Sequence, residues 1–87
     1  MKVTVKVEGE IPNTLLRYGK MRVPPIIMSV AKRRGGKISM KFEGEALSLK
    51  VDRYGRISLP PHVIEKARDK DRIFIESVDG DVRIYFQ

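Results

Sequence analysis

Cysteine and tryptophan are absent from this chain of 87 residues, and histidine occurs once, as His62. Without cysteine there is no disulfide, no thiolate metal site and no cysteine nucleophile. A single histidine gives little basis for a metal centre, and no motif places an acid or a nucleophile beside it. No apolar run approaches the roughly 20 residues of a membrane span, and the first ten residues do not resemble a signal peptide. We therefore predict one soluble, cytoplasmic, non-enzymatic domain over residues 1–87, without metal or cofactor.

Amide side chains are also scarce, with one Asn and one Gln, whereas 33% of the residues are charged. Such a composition is typical of a thermophile. The formal net charge of +7 predicts an anionic partner, with nucleic acid ahead of a membrane surface. The excess lies in residues 1–43, which carry ten Lys or Arg and three Glu, whereas residues 44–87 carry eight of each sign. If the protein binds an anion, we expect it to do so asymmetrically, through the first half.

A duplicated segment is the clearest pattern in the chain. Residues 17–25 read RYGKMRVPP and residues 53–61 read RYGRISLPP, at an offset of 36. The two copies agree at the glycine, the prolines and the apolar positions, which are requirements of a fold. A fixed period of this length indicates a duplicated structural unit. We predict internal repeats at approximately 10–45 and 46–81.

An acid–Gly–acid element follows each of three strand-like segments. The segments are 3–7, 38–42 and 73–78, and the elements are Glu8-Gly9-Glu10, Glu43-Gly44-Glu45 and Asp79-Gly80-Asp81. Apolar and polar residues alternate in the first two segments, as in a strand with one buried face. Glycine after an acid supplies the positive φ of a tight turn. We therefore predict three hairpins, with return strands that include 46–51 and 82–86.

Each Tyr-Gly pair is followed by a basic residue, a short apolar stretch and Pro-Pro. Gly19 and Gly55 predict a tight turn or a bulge. Pro25 and Pro61 suit the first position of a helix, where the missing N–H is harmless. Helices are predicted at 26–34 and 62–70, where apolar residues share one helical face. Two such units and an extra first strand give a mostly β fold, predicted as a small closed barrel of six strands and two short helices with pseudo-twofold symmetry.

The second copy resembles the AbrB/MazE/SpoVT family. That family typically reads strand, D-x-x-G-R, apolar pair, Pro, helix, Gly-Asp turn and hairpin. The corresponding residues here are Asp52, Gly55, Arg56, Ile57, Leu59 and Pro60. The first copy is looser, with Leu16 in place of the Asp and Lys20 in place of the Arg. The Gly-Asp turn is split between the copies, because the first keeps Gly35-Gly36 and the second keeps Asp71.

AbrB-like domains usually carry one β-α-β unit per chain and dimerise by exchanging hairpins. Because this chain carries both units, it resembles the wider set of cradle-loop barrels, which includes swapped-hairpin, double-psi and RIFT types. We expect a single-chain, RIFT-type relative from an archaeon that closes its barrel as a monomer. The resemblance implies a transcription-factor-like protein whose partner is duplex DNA.

Basic residues in two groups are the candidate nucleic-acid site. The resemblance implies DNA contact for the loop around Arg53 and Arg56, and the repeat extends this to the first copy. A second group lies at the predicted helix end and turn of residues 32–37, where phosphate contact and simple stabilisation of the helix dipole are both open. The candidates are Arg17, Lys20, Arg22, Lys32, Arg33, Arg34, Lys37, Arg53 and Arg56. Tyr18 and Tyr54 lie among these cations and could stack on a base, although tyrosine beside a turn glycine more often packs against the protein.

Two other functions stay open. Other cradle-loop barrels are enzymes or modules of enzymes, so a nucleotide- or flavin-binding role is the main alternative, with phosphate held at Gly35-Gly36. MazE relatives bind toxins, usually through an extra C-terminal tail. The last predicted strand ends directly before Gln87 without such a tail, which ranks this function lowest.

Overall fold

The computed structural model describes residues 3–87 as eight strands and three helices. In chain order they are β1 (Thr4–Glu10), α1 (Asn13–Tyr18), β2 (Lys20–Arg22), α2 (Pro25–Val30), β3 (Arg33–Arg34), β4 (Lys37–Phe42), β5 (Glu45–Lys50), β6 (Arg56–Ser58), α3 (Pro61–Ala67), β7 (Arg72–Val78) and β8 (Asp81–Phe86). The fold is mostly β, as the sequence predicts. None of these three helices has the length and apolarity needed to cross a bilayer.

Six strands form one curled sheet, and the other two form a short ribbon. The sheet has the order β1-β7-β8-β4-β3, with β5 on the other edge of β4. The hairpins β4–β5 and β7–β8 are antiparallel, and β4 joins β8 in a short parallel pair. The ribbon consists of β2 and β6, whose central residues Met21 and Ile57 belong to the same buried core as the sheet.

Two of the three predicted acid–Gly turns are confirmed. Glu43-Gly44 and Asp79-Gly80 have positive φ at both residues, the geometry of a two-residue type I′ hairpin. The turn predicted at Glu8-Gly9-Glu10 is wrong, because these residues continue β1 and Gly9 lies opposite Ile73. A further hairpin, which was not predicted, joins β3 to β4 through Gly35-Gly36 with φ values of 59° and 76°.

The two predicted helices are confirmed at their starts and are wrong at their ends. Pro25 and Pro61 open α2 and α3, each following a second proline in the cap position. Both helices end three or four residues earlier than predicted. The third helix, α1, was not predicted. It follows Pro12 and ends at Gly19, whose left-handed backbone (φ 71°) lets its N–H donate to the carbonyl of Leu15 at 2.9 Å.

The sheet is a curled half-barrel, so the predicted closed six-stranded barrel is wrong. Pseudo-twofold closure would require β5 to pair with β7, as β8 pairs with β4. The strand β7 instead has β1 on one edge and β8 on the other, which leaves no edge for β5. The first strand, β1, therefore keeps the sheet open by occupying the edge of β7 that closure requires.

The two long hairpins also present different faces to the core. In β4, Phe42 directly precedes the turn and is buried together with Met40 and Ile38. In β7 the inward series is Ser77 and Ile75, one residue further from the turn. Alternate residues of a strand point to opposite faces, so a shift of one residue exchanges inside and outside. The offset of 36 that aligns the turns does not align the strand faces, and the predicted symmetry does not extend to the hairpins.

Candidate nucleic-acid interface

The β2–β6 ribbon places cations from both repeat copies on one exposed face. Met21 lies opposite Ile57 and both are buried, so their neighbours along the strands point outward. The outward residues are Lys20, Arg22, Arg56 and Ser58. Arg22 and Arg56 are direct cross-strand partners, which places two guanidinium side chains side by side.

The ribbon also brings the two Tyr-Gly loops to its opposite ends. The N–H of Val23 donates to the carbonyl of Gly55 at 2.9 Å, and the N–H of Leu59 donates to the carbonyl of Gly19 at 2.8 Å. These two hydrogen bonds are equivalent under the repeat, so each copy anchors the glycine of the other. Around the ribbon, the duplicated sequence therefore has a local twofold arrangement.

Both tyrosines project from these loops into solvent. Tyr18 is 71% exposed and Tyr54 is 57% exposed, so the expectation that they pack against the protein is wrong. A depression of about 560 Å³ adjoins Tyr18 and is lined by Thr14, Tyr18, Lys20, Arg22 and Arg56. We refer to Tyr18, Lys20, Arg22, Tyr54 and Arg56 as the ribbon surface.

Asp52 orders the loop that carries Tyr54. Its carboxylate accepts hydrogen bonds from the backbone N–H groups of Tyr54 (2.8 Å) and Arg56 (2.9 Å), and from Arg56 Nε (3.1 Å). The hydrogen bond from the Arg56 N–H is the main reason that the pKa of Asp52 lies below its ordinary value, although desolvation opposes it. The guanidinium carbons of Arg53 and Arg56 lie 5.1 and 5.0 Å from the centroid of the Tyr54 ring. The second loop is thus held in one geometry with two cations against its aromatic ring.

Arg17 and Arg53 occupy equivalent positions beside the ribbon surface. Arg17 lies in the last turn of α1, where a cation interacts favourably with the helix dipole, and its side chain is exposed. Arg53 is also exposed and contacts the ring of Tyr54. The structure therefore brings Lys20, Arg22 and Arg56 together around one depression, and Arg17 and Arg53 lie outside its lining.

The sequence predicts that the second basic group lies at a helix end. In the structure this group forms a β-hairpin instead. Arg34 pairs with Lys37 across the β3–β4 hairpin, and Lys37 pairs on its other side with Lys50 of β5. Because cross-strand partners share a face, these three cations form a row on the exposed side of the sheet. We refer to Arg33, Arg34, Lys37 and Lys50 as the cationic hairpin. Together with Ser39 and Ser48, its first three residues border a depression of about 260 Å³.

The cationic hairpin carries charge that no carboxylate neutralises. Among residues 3–87, no carboxylate oxygen lies within 4.0 Å of a side-chain nitrogen of these four residues. Lys32 differs, because its Nζ lies 3.3 Å from Asp81. Like charges directly opposite one another destabilise a sheet, so the row costs stability that a bound anion would offset.

Lys50 is the one member of the cationic hairpin that is not among the candidates predicted from the sequence. Counting outward from the Glu43-Gly44 turn places Lys50 opposite Lys37, so the register of the predicted hairpin contained the information. The N–H of Val51 donates to the carbonyl of Gly36 at 3.0 Å, and Val51 also bridges to Ile57 of β6. The cationic hairpin and the ribbon surface therefore lie on neighbouring segments.

The single histidine and the carboxylates lie outside the ribbon surface and the cationic hairpin as defined here. His62 forms an exposed hydrogen bond between its Nε2 and Glu45 Oε1 at 2.7 Å, away from the ribbon surface residues. Within residues 3–87, no three His, Cys, Asp or Glu side chains are grouped as a metal site would require. The chemistry available at the two basic surfaces is that of binding an anion.

Comparisons with known proteins identify no family. A scan against protein-family models, a search of curated proteins and a search of solved structures each found no significant match. The resemblance to AbrB-like proteins and cradle-loop barrels therefore stays a prediction.

Proposed function

We propose that the protein binds nucleic acid without catalysing a reaction, and that it holds the phosphates with the ribbon surface and the cationic hairpin. The observation that carries this proposal is the row formed by Arg34, Lys37 and Lys50, whose like charges lie directly opposite one another. These opposed like charges lower the stability of the sheet when no ligand is bound. A chain of phosphates offsets their repulsion.

The ribbon surface supports the same proposal. Arg22 lies opposite Arg56, and Lys20 lies on the same face, so a second group of cations converges without catalytic partners. Guanidinium groups match the geometry of phosphate oxygens and bind them through paired hydrogen bonds. The Val51 N–H donates a hydrogen bond to the Gly36 carbonyl, which holds the cationic hairpin next to the segment that leads into β6. In this proposal the cationic hairpin and the ribbon surface form one continuous binding track.

DNA is the nucleic acid that the AbrB-like resemblance favours, together with a transcription-factor-like role. The local twofold arrangement of the ribbon supports descent from a duplicated β-α-β unit, as in RIFT-type and other cradle-loop barrels. In this proposal the half-barrel is a relative of those folds in which β1 has replaced the closing strand on β7.

The proposal is tested by fluorescence anisotropy with labelled duplex DNA, single-stranded DNA and RNA of equal length. Binding should weaken steeply between about 50 and 200 mM salt. The double variant Arg34→Gln/Lys37→Gln should bind more weakly, because both residues belong to the row. Its plot of log affinity against log salt should be shallower by about 1.4 to 1.8, which corresponds to two lost phosphate contacts.

The matched control is the double variant Lys66→Gln/Lys70→Gln. It removes the same two charges from exposed residues that have no carboxylate within 4.0 Å and lie outside both basic surfaces. This control should keep the salt slope of the parent protein. Absence of saturable binding at low salt would refute the proposal. An equal loss in both double variants would assign the affinity to net charge alone and reject the cationic hairpin.

A nucleotide- or flavin-binding role is the second candidate, and the depression beside Tyr18 favours it. Its volume of about 560 Å³ is within the usual range for a small-molecule site. The three cations of its lining would donate hydrogen bonds to a phosphate. A titration with a mononucleotide and with a flavin, followed by NMR, would support this role if the shifts clustered at the depression while oligonucleotides bound no more tightly.

A further inference from the structure

The side chain of Tyr18 is exposed although its backbone is firmly held. Gly19 ends α1 in a left-handed conformation, and its carbonyl accepts the ribbon hydrogen bond from Leu59. A Cβ atom at Gly19 would lie 2.7 Å from Ile64 Cδ1, so the backbone here packs closely against α3. The ring of Tyr18 is thus presented to solvent from a rigid base, as a preorganised contact would be.

The surroundings of Tyr18 suit an aromatic ligand that carries negative charge. Three of the other residues that line its depression are the cations Lys20, Arg22 and Arg56. Within the described residues, no guanidinium or ammonium group lies over the ring of Tyr18, whereas the ring of Tyr54 already has two guanidiniums beside it. The face of Tyr18 is therefore the more available of the two.

We infer that Tyr18 stacks on an unpaired base of a single-stranded segment, while Lys20, Arg22 and Arg56 hold the adjacent phosphates. This inference rests on the proposed nucleic-acid function and specifies the form of nucleic acid bound. Bases within a duplex have their faces covered by their neighbours, so a stacking ring needs an unpaired base. Tyr54, at the opposite end of the ribbon, is the second and weaker platform because a base must displace a guanidinium from it.

The inference is tested with four probes of equal length: single-stranded oligo(dT), single-stranded oligo(U), an abasic DNA strand and duplex DNA. The abasic strand has the same phosphates and no bases. Tyr18→Leu should weaken binding of the two base-bearing strands by about 5- to 150-fold, the range for loss of one base–aromatic stack. Its affinity for the abasic strand should change less than about twofold, and Tyr18→Phe should retain the parent affinity for all probes.

Tyr85→Leu is the matched control. It removes the same ring from a position where it already stacks on Phe74, with centroids 5.0 Å apart, outside the ribbon surface. This variant should bind every probe as the parent does. The chain has no tryptophan, so quenching of tyrosine fluorescence gives an independent readout that Tyr18→Leu should reduce.

The possible outcomes separate the inference from the proposed function. If Tyr18→Leu binds base-bearing strands as the parent does, or if duplex DNA binds more tightly than oligo(dT), the stacking inference is overturned. The proposed function survives either result provided that Arg34→Gln/Lys37→Gln still weakens binding. If none of the four probes binds, both fail. A difference between oligo(dT) and oligo(U) would assign the site to DNA or to RNA.

Discussion

The two halves of the chain form similar hairpins, but they differ in how many of their cations have a carboxylate partner. Within residues 3–43 one cation of nine, Lys32, has a carboxylate within 4.0 Å, whereas four of eight have one within residues 44–87. Hairpin β4–β5 places Lys37 opposite Lys50, and hairpin β7–β8 places Arg83 opposite Glu76, with which it forms an ion pair. The fold accepts both arrangements. The unpaired cations are therefore not a requirement of folding, which agrees with the ligand-binding role proposed for them.

The two Tyr-Gly loops differ in a related way. The second is held by the carboxylate of Asp52, which accepts three hydrogen bonds from Tyr54 and Arg56. The first has Leu16 at the equivalent position, which cannot accept them, and is held by the end of α1 instead. The same glycine conformation is thus reached from two supports, one electrostatic and one helical, and only the second loop carries an acid among its cations.

Substitution of the two loop glycines should give the largest difference between the copies. Both have positive φ, so Gly55→Ala should cost about 1 to 2 kcal/mol of unfolding free energy. Gly19→Ala should cost about 1 kcal/mol more, because the added methyl meets Ile64, whereas a methyl at Gly55 meets nothing within 4 Å. Urea denaturation measures both. Adding Ile64→Val to Gly19→Ala should remove most of the excess, and equal losses at the two glycines would contradict the prediction.

Threonine substitutions in the two hairpins should change stability in opposite directions. Arg83→Thr should lower the free energy of unfolding by about 1 kcal/mol, because it leaves the buried carboxylate of Glu76 without its partner. Lys37→Thr should raise it by about 0.2 to 1 kcal/mol, because it relieves the like-charge row, and should weaken nucleic-acid binding. Thermal denaturation and anisotropy provide the two readouts. A loss of stability in Lys37→Thr would show that the row is not strained.

The smallest expected effect is the pH dependence contributed by Asp52. Its pKa is lowered in the folded protein, so its contribution to stability is complete above the unfolded value of about 3.9 and is lost as the pH falls through the folded value. Asp52→Asn should therefore have a lower urea midpoint than the parent near neutral pH, and the gap should close on acidification. The first copy has Leu16 at the position equivalent to Asp52. Because leucine does not titrate, this position contributes no pH dependence. If the urea midpoints of Asp52→Asn and the parent differed by the same amount near neutral pH and at acidic pH, this assignment would be contradicted.

Local sequence patterns predicted many elements of the fold, but they did not predict which distant strands pair. Pro25 and Pro61 opened helices as expected, and the acid–Gly turns at residues 43–44 and 79–80 formed. The turn predicted at Gly9 was wrong because the sequence Glu-Gly-Glu also fits a strand when a partner strand such as β7 is available. The closed barrel was wrong because the repeat offset carries no information about which face of each strand is buried or which edge β1 occupies.

The arrangement of the candidate residues could be predicted only where the structure follows the repeat. The repeat placed Lys20, Arg22 and Arg56 together, because the ribbon follows the symmetry of the sequence. The exposure of the tyrosines depends on how the loops meet α1 and α3, which no local pattern specifies. Helix α1 did have a signal, since Pro12 precedes a polar pair and two leucines, with Gly19 at the end, but six residues are too few for periodicity to be decisive.

Because of the one-residue shift between the two hairpins, neither hairpin could take the place of the other in the fold. If the segment 37–50 were transplanted into the place of the second hairpin, turn on turn, the face that now carries Lys37, Ser39 and Lys41 would be directed at the core. Two identical hairpin sequences would therefore direct lysine side chains at the core in one of the two places. The shift thus requires the two hairpins to keep different sequences, and with them different charges.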